Sequence, residues 1–314
     1  MILSASRRTD IPSYYSEWFY NRIKEKYVLV RNPMNYHQVS RIDLSPDVVD
    51  CIVFWTKNPI PMLPNLEKLQ DYNYYFQFTL TGYGQDVERS LPSKKEVILP
   101  AYQRLSKEIG REKVVWRYDP IFFSEKYSME YHCRCFAELA EELAGYTEKC
   151  TVSFMDSYKN TERNVKALNY VNDTYAMQEE LLQRFVEIAD RNGLYIDTCA
   201  EAGDFEALGV RHAHCIDKER IERIIGCRIN VDKDTNQRKE CGCVASIDIG
   251  AYNTCKNGCL YCYANYMAGS VEKNYSGHNP QSPLLLGEIT EADVIKERKV
   301  KSLKDVQLNL LDMM

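Results

Sequence analysis

The chain has 314 residues, 45% of them hydrophobic, and a formal net charge of −5 at pH 7. This length and composition suit one α/β domain with a large core. No apolar run is long enough to span a bilayer, and the start, MILSASRRTD, lacks the apolar region of a secretory signal. We therefore expect a cytoplasmic protein without a membrane partner. The acidic balance also gives no general nucleic-acid footprint.

Short β-like runs alternate with amphipathic helical runs along most of the chain. The predicted strands are Ile2–Ser6, Val49–Trp55, Tyr74–Leu80, Lys113–Tyr118, Thr151–Phe154, Leu194–Thr198 and Val244–Ile249, with Tyr27–Arg31 as a further strand or the approach to a hairpin. The predicted helices are Tyr14–Lys26, Lys94–Ile109, Met129–Leu143, Ala176–Asn192 and Lys218–Ile225. Pro100 predicts that the second helix kinks or begins there. The alternation indicates an α/β fold with a parallel sheet, open or closed into a barrel.

Polar residues cluster where most of these strands end. The clusters are Arg7-Arg8-Thr9-Asp10, Thr56-Lys57-Asn58, Thr79-Leu80-Thr81, Arg117-Tyr118-Asp119, Met155-Asp156-Ser157 and Cys199-Ala200-Glu201. Any one of them suits a helix cap or a surface turn. Because loops after several strands build the active site of a (β/α) barrel, their recurrence predicts one shared site.

Cysteine is abundant, with 12 residues. Disulfides are rare in the cytosol, so this number indicates metal or redox chemistry. Cys255, Cys259 and Cys262 have the spacing C-x3-C-x2-C. Their thiolates can bind three irons of a [4Fe–4S] cluster and leave the fourth open, whereas electron-transfer clusters use four thiolates. A zinc knuckle and a chance group of thiols are the alternatives.

This stretch resembles the signature of the radical S-adenosylmethionine (SAM) superfamily, including Gly258 within the loop and Tyr261 before the last cysteine. The resemblance implies that the amino and carboxylate groups of SAM bind the open iron. It also implies an electron donor such as flavodoxin or ferredoxin. Reductive cleavage of SAM would then give methionine and a 5′-deoxyadenosyl radical, which abstracts a hydrogen atom from the substrate.

Longer stretches resemble the DUF1848 family over nearly the whole chain. They are ILSASRRTDIP, VDCIVFWTKNP, RYDPI, QRKECGC and SIDIGAYNTCKNGCLYCYAN. In a typical radical SAM domain, the strand before the cysteines comes first, whereas here it comes last. The resemblance thus implies a circularly permuted, TIM-like full or partial barrel, with Val244–Ile249 parallel to Ile2–Ser6. We assign residues 1–270 to this barrel, including an auxiliary-cluster region at 199–243, and residues 271–314 to a C-terminal tail or covering segment.

The resemblance also suggests a second metal centre. Four further cysteines match the DUF1848 pattern, namely Cys199, Cys215, Cys241 and Cys243. They are candidate ligands of an auxiliary [4Fe–4S] cluster, with a structural zinc or four reduced thiols as the alternatives. Cys51 is expected to be a small buried hydrophobe, and a structural role is expected for Cys133, Cys135, Cys150 and Cys227. His212 and His214 are expected to form hydrogen bonds rather than bind metal.

SAM binding requires partners for its carboxylate and its ribose. Arg117 is predicted to bind the carboxylate through its guanidinium, and Arg7 and Arg8 are competing candidates. Lys57 and Asn58 are predicted to contact the ribose or the substrate. Asp119 and Tyr261 complete the predicted cofactor-binding set. Alternatively, the arginines form ion pairs with Asp10 and Asp119.

Two functions follow from these patterns. The first is a radical SAM enzyme whose substrate is a nucleic acid, a peptide or a metabolite. Tyr-Cys-Tyr-Ala at 261–264 is similar to spore photoproduct lyases, a DNA-repair branch, which is weak information about the substrate. The second is a non-catalytic protein that binds zinc and nucleic acid. Hydrolase chemistry has no support, because no phosphate loop or Gly-x-Ser-x-Gly elbow is present.

Overall fold

The computed structural model describes residues 1–156, 162–265 and 267–305. Its strands are β1 (Ile2–Ala5), β2 (Tyr27–Asn32), β3 (Asn35–Asp43), β4 (Cys51–Thr56), β5 (Tyr74–Thr79), β6 (Val114–Ile121), β7 (Lys149–Phe154), β8 (Tyr195–Thr198), β9 (Arg211–His212), β10 (Ile247–Asp248) and β11 (Val294–Glu297). Its α-helices are α1 (Ile11–Tyr14), α2 (Ser16–Glu25), α3 (Leu99–Ile109), α4 (Met129–Leu143), α5 (Glu162–Val165), α6 (Tyr175–Arg191), α7 (Lys218–Ile225) and α8 (Ala268–Ser276).

Eight of these strands form one parallel sheet in the order β10-β1-β4-β5-β6-β7-β8-β9. The predicted α/β fold is therefore confirmed. At one edge, Leu3 of β1 is in register with Ile247 of β10, and Ser4 is in register with Asp248. The first strand of the chain thus lies between β10 and β4. This is the parallel pairing expected between the segments around Ile2–Ser6 and Val244–Ile249.

Strand side chains alternate between two buried faces, as is usual for parallel sheets. On the first face, large apolar residues of the strands, such as Phe54, Phe76 and Trp116, pack against helices α2, α3, α4 and α6. On the second face, residues near the strand beginnings, such as Val53 and Tyr75, pack against the segment 215–244. Polar residues follow them on that face. The second face can therefore hold a polar site at the carboxyl ends of the strands.

The sheet is open rather than closed. Among the described residues, no hydrogen-bonded ladder joins β9 to β10, so a complete TIM barrel is not found. The predicted strand Val244–Ile249 is also shortened to β10. Val244 instead donates its backbone N–H to Ile216 and forms an antiparallel bridge with Lys233. Its backbone groups are thus paired with loop segments rather than with β1.

A second, smaller sheet has the strand order β11-β3-β2. The prediction of a strand or hairpin approach at Tyr27–Arg31 corresponds to β2, but β3 and β11 were not predicted. The long predicted helix Tyr14–Lys26 is divided into α1 and α2 at Tyr15, whose φ of −134° is not helical. Pro100 lies at the start of α3, directly after a π-helical segment at Lys94–Ile98, so the predicted helix Lys94–Ile109 changes its geometry next to this proline.

The chain after residue 270 packs against the N-terminal elements. Trp18 donates its indole N–H to the backbone of Ser282 at 2.9 Å, and β11 pairs with β3. This segment covers α2 and the β2–β3 hairpin, whereas residues 306–314 of the predicted tail lie outside the described part. The domain boundary at residue 270 stays a prediction. Within the described residues, no helix is both long and apolar enough to cross a bilayer.

The central position of β1 can be tested with one substitution. Leu3 is fully buried between β10 and β4, so Leu3→Asp should lower the free energy of unfolding by about 4 kcal/mol or more. Met34 is 92% exposed, and Met34→Asp should have little effect. Urea unfolding followed by circular dichroism measures both. Equal stability of the two variants would contradict a central β1.

Candidate functional site

The carboxyl ends of the strands surround one cavity with a volume of about 450 Å³. This size is typical of small-molecule sites. Each polar cluster predicted at a strand end contributes to its lining, through residues such as Arg7, Lys57, Arg117, Asp156 and Cys199. Ser157, which belongs to one predicted cluster, lies outside the described residues. The fold therefore brings the separate sequence clusters together at one place.

Both predicted cysteine groups line this cavity. They are the loop cysteines Cys255, Cys259 and Cys262, and the second group Cys199, Cys215, Cys241 and Cys243. The other cysteines of the chain are all described, and none of them lies in the lining. Cys51 and Cys150 are buried, as expected for the former. His212 and His214 are exposed and lie outside the cavity lining.

The loop that carries Cys255, Cys259 and Cys262 is fixed to the loop after β5. Cys259 forms an antiparallel bridge with Glu88, and Ser90 donates its N–H to the carbonyl of Asn257 at 3.1 Å. Between them, Gly258 has a φ of +67°, which glycine adopts without the strain of a side chain. The cysteine loop therefore has a defined conformation set by backbone pairing.

Asp10 attaches the same loop to the beginning of α1. Its buried carboxylate accepts hydrogen bonds from the side-chain amide of Asn257 at 3.0 Å and from the N–H of Lys57 at 2.8 Å. It also caps α1 by accepting from the N–H of Ser13 at 3.0 Å. Burial raises the pKa of Asp10. Asp10 is thus a structural link between β1, β4 and the cysteine loop.

Glu88 forms a third attachment of this loop. Its carboxylate accepts from Lys57 Nζ at 2.7 Å, from the Tyr261 hydroxyl, and forms an ion pair with Lys94. Burial opposes ionisation of Glu88, but the charges of Lys57 and Lys94 outweigh it and lower the pKa to about 2. Lys57 also lies 5.5 Å from the ring centroid of Tyr261. Two predicted cofactor-binding residues are therefore held by a carboxylate that no sequence pattern revealed.

Burial disfavours the thiolate form of the loop cysteines. Burial raises the pKa values of Cys255 and Cys262, and it raises that of Cys259 to about 12 despite the opposing charge of Lys57. A bound metal deprotonates a coordinating thiol. A metal bound here would therefore oppose the effect of burial on these thiols.

Arg117 lies beside the second cysteine group. Its Nη1 is 2.9 Å from the Cys215 sulfur, and its Nε and Nη2 both donate to Asp119, at 2.9 and 2.5 Å. Cys215 in turn lies 3.0 Å from the sulfur of Cys199. Arg117 and Asp119 thus form an ion pair, as the alternative interpretation expected. Most donors of this guanidinium already have partners in the protein.

Arg7 differs from Arg117 because part of its guanidinium lacks a partner. It packs over Trp55 at 5.3 Å and lies 3.9 Å from Asp234. Its Nη2 is buried and has no hydrogen-bond partner in the described part of the chain, and the same is true of the Thr9 hydroxyl. Both residues line the cavity. Unpaired buried donors of this kind are rare and point to a ligand.

The remaining predicted residues are Arg8 and Asn58, which differ in their position relative to the cavity. Arg8 lines the cavity, lies 3.9 Å from Asp248 and packs over Tyr252. Asn58 is not in the lining, and its side-chain oxygen accepts from the N–H of Ile60. Neither Arg7 nor Arg8 has an ion pair with Asp10. The structure therefore brings Arg8 to the cavity but not Asn58.

The candidate metal ligands are not arranged around a single metal position. Among residues 1–156, 162–265 and 267–305, no three or more His, Cys, Asp or Glu side chains are arranged to hold a metal ion. A tetrahedral zinc site with Zn–S bonds near 2.3 Å needs sulfurs about 3.8 Å apart. In a cluster, each thiolate binds a different iron. The three loop cysteines, Arg7 and Thr9 line the same cavity, and the Arg7 Nη2 and the Thr9 hydroxyl have no hydrogen-bond partner in the described part of the chain.

A family model described as "Domain of unknown function (DUF1848)" matches residues 2–264. The chain belongs to the DUF1848 family. The matched part includes both cysteine groups and all strands of the large sheet. Comparisons with curated proteins and with solved structures found no match to this DUF1848 protein.

The importance of Glu88 can be tested by neutralising its charge. Glu88→Gln leaves Lys57 and Lys94 without a buried carboxylate partner, so the free energy of unfolding should fall by about 3 kcal/mol. The control is Glu297→Gln, which removes an exposed pair with Arg41 and should cost less than about 1 kcal/mol. Urea unfolding at pH 7 measures both. If the two losses are equal, Glu88 does not anchor the loop.

Proposed function

We propose that this DUF1848 protein is a radical SAM enzyme. The observation that carries the proposal is the position of Cys255, Cys259 and Cys262, which line the same cavity as the unpaired Arg7 donor. Three thiolates bind a [4Fe–4S] cluster and leave one iron open. The chain before these cysteines forms an edge strand of a parallel sheet, and the other strands of the sheet follow it in chain order. This order supports a circularly permuted, partial radical SAM barrel.

With cluster and SAM bound, one electron from an external donor such as flavodoxin or ferredoxin would supply the 5′-deoxyadenosyl radical for hydrogen abstraction. The protein residues have separate tasks. Cys255, Cys259 and Cys262 hold the cluster, and the buried walls of the cavity exclude water from the reactive group. Lys57 and Tyr261, fixed by Glu88, border the cluster loop and orient the ligand.

We assign the SAM carboxylate to Arg7 rather than Arg117. Arg7 has an unpaired buried Nη2, and its stacking on Trp55 fixes the guanidinium plane. The hydroxyl of Thr9 is a second unpaired group in the same cavity. Arg117 is instead bonded to Asp119 and Cys215. A charged hydrogen bond contributes more to the free energy of ligand binding when its donor has no competing partner in the protein.

The size of the cavity bears on the substrate. A volume of about 450 Å³ matches a ligand of small-molecule size, and SAM would use part of it. This favours a metabolite, or one side chain or base of a larger molecule. The net charge of −5 gives no support for binding along a nucleic-acid backbone.

The cluster assignment can be tested by removing its ligands. The triple variant C255A/C259A/C262A should lose SAM cleavage completely, because no thiolate remains to hold the cluster that carries the open iron. A matched control is C133A/C135A/C227A, which removes three cysteines outside the cavity and should keep the activity. Deoxyadenosine production after anaerobic reconstitution and reduction with dithionite is the measurement.

Two results would contradict the assignment. One is deoxyadenosine production by C255A/C259A/C262A at the wild-type rate. The other is colourless anaerobically purified wild type with stoichiometric zinc and no acid-labile sulfide, which would favour the non-catalytic zinc-binding alternative.

The carboxylate assignment predicts a difference between neighbouring arginines. Arg7→Gln should weaken SAM binding about 10- to 100-fold, as expected for loss of a charged hydrogen bond. Arg8→Gln should change it less than about threefold, because Arg8 lies beside Asp248 and Tyr252. Isothermal titration of the reconstituted protein with SAM measures both values. A larger effect of Arg8→Gln would move the carboxylate site to Arg8.

A further inference from the structure

Two thiols that follow different strands meet on one wall of the cavity. Cys199 directly follows β8 (Tyr195–Thr198), and Cys215 lies in the segment after β9 (Arg211–His212). Both line the cavity, and their sulfurs are 3.0 Å apart. Because β8 and β9 are neighbouring parallel strands, the fold brings together two thiols that are 16 positions apart in sequence. Two reactive groups are therefore in direct contact beside the space for a ligand.

The separation of the two sulfurs allows a bond between them. Both cysteines are free thiols in this structure, and the S–S bond of a disulfide is about 2.05 Å long. The sulfurs therefore have to approach each other by about 1 Å. Each cysteine lies beyond the last residue of its strand, so a side-chain rotation or a small loop movement closes this gap while β8 and β9 stay paired. The pair can thus exist as a dithiol or as a disulfide.

One sulfur of the pair lies beside a fixed cation. Arg117 donates from Nη1 to the Cys215 sulfur at 2.9 Å. Its Nε and Nη2 donate to Asp119, which holds the guanidinium in this orientation. A cation next to a cysteine favours the thiolate, and the thiolate is the nucleophile in thiol–disulfide exchange. The geometry therefore distinguishes the two cysteines, with Cys215 as the attacking sulfur and Cys199 as the thiol that completes the disulfide.

A third thiol is a competing partner for Cys215. Cys243 also lines the cavity and interacts with Cys215. Its sulfur accepts a hydrogen bond from the backbone N–H of Ile216 at 3.3 Å, and this bond holds it against the segment after β9. Cys199 is in direct contact with Cys215 at 3.0 Å. The shorter path to a disulfide therefore joins Cys215 to Cys199 rather than to Cys243.

The position of the pair restricts its substrate. Cys215 is only 7% exposed, Cys199 is half-buried, and both line a cavity of about 450 Å³. A cavity of this size takes small molecules, whereas a disulfide on a folded protein cannot reach a thiolate at this depth. The substrate class that fits is a small-molecule disulfide.

We propose that Cys199 and Cys215 are a redox-active dithiol that reduces a small-molecule disulfide bound in the cavity. The Cys215 thiolate attacks one substrate sulfur and breaks the substrate S–S bond, which gives a mixed disulfide and a first product thiolate that takes a proton from solvent. Cys199 then attacks the Cys215 sulfur, releases the second product thiolate and gives it the Cys199 proton. The substrate gains two electrons, and the two cysteines lose two electrons as their disulfide forms. An external dithiol restores the reduced pair.

Disulfide mapping tests the pair without SAM or a cluster, so its outcome is independent of the proposed function. The triple variant C255A/C259A/C262A removes the loop thiols, which also react with disulfides. The reduced variant is mixed anaerobically with bis(2-hydroxyethyl) disulfide, alkylated with N-ethylmaleimide and analysed by peptide mass spectrometry. We expect a Cys199–Cys215 disulfide and about two molecules of 2-mercaptoethanol per chain, and dithiothreitol should reverse the reaction. Wild type should form the same disulfide, so the result does not depend on the folding of the variant.

Further substitutions in the triple variant separate the roles of the thiols. C199A/C243A leaves Cys215 without a second thiol, so the mixed disulfide on Cys215 should accumulate. C215A should slow the consumption of the small disulfide at least about tenfold, because the thiolate beside Arg117 is lost. The matched control C133A/C135A/C227A removes three cysteines outside the cavity and should react at the rate of its parent. Circular dichroism checks that each variant is folded.

Three outcomes would overturn the redox-active pair. They are a lack of any Cys199–Cys215 disulfide in folded protein, a Cys215–Cys243 disulfide in its place, and a bound metal that blocks alkylation of Cys199 and Cys215 in the reduced triple variant. Insulin, a protein with disulfides, tests the substrate class. Reduction of insulin at the rate of bis(2-hydroxyethyl) disulfide would contradict a site restricted to small molecules.

Discussion

The carboxylate of Asp248 fixes the strand that leads into the cysteine loop. It accepts hydrogen bonds from the hydroxyls of Ser4 and Ser6, at 2.8 and 2.6 Å, and from the N–H of Arg7 at 2.8 Å. Because β10 is only two residues long, its backbone pairing alone would specify its register weakly. Gly250 then passes so close to Ser6 that a Cβ would lie 2.0 Å from the Ser6 hydroxyl. Register, loop entry and thiol positions therefore depend on one half-buried carboxylate.

The cysteine loop that follows β10 is held by two carboxylates, and the charges around one of them affect what the loop can bind. Asp10 and Glu88 each bind the loop through a side chain, Asn257 and Tyr261 respectively. Glu88 is shared by two lysines, Lys57 and Lys94, so this side of the loop carries excess positive charge. The proposed cluster, ligated by thiolates, would be anionic, and nearby cations would stabilise it. The anchoring network thus positions the loop and also favours the anionic ligand set.

Sequence patterns predicted the parts of the fold that rest on strong periodicity. Helices α4 and α7 match the predicted ranges Met129–Leu143 and Lys218–Ile225, and the parallel order of the strands was expected. Of the small sheet only the segment of β2 was expected. β11 was not, because it is exposed along its length and lacks an alternating pattern. Within the site, residue types predicted the cysteines and arginines but not their partners. Arg117 pairs with Cys215 across 98 positions in sequence, and Glu88 lies in a loop without any motif.

An open parallel sheet leaves backbone groups unpaired at its edges, and something must cover them. Here the loop before β10 does so, since Val244 pairs with Ile216 just beyond β9. Residues of the same loop, including Arg238, line the cavity, and Arg238 forms an ion pair with Asp156 after β7. Cys241 and Cys243 belong to this loop as well. The positions of these two thiols and the shape of this wall of the cavity therefore depend on the same loop.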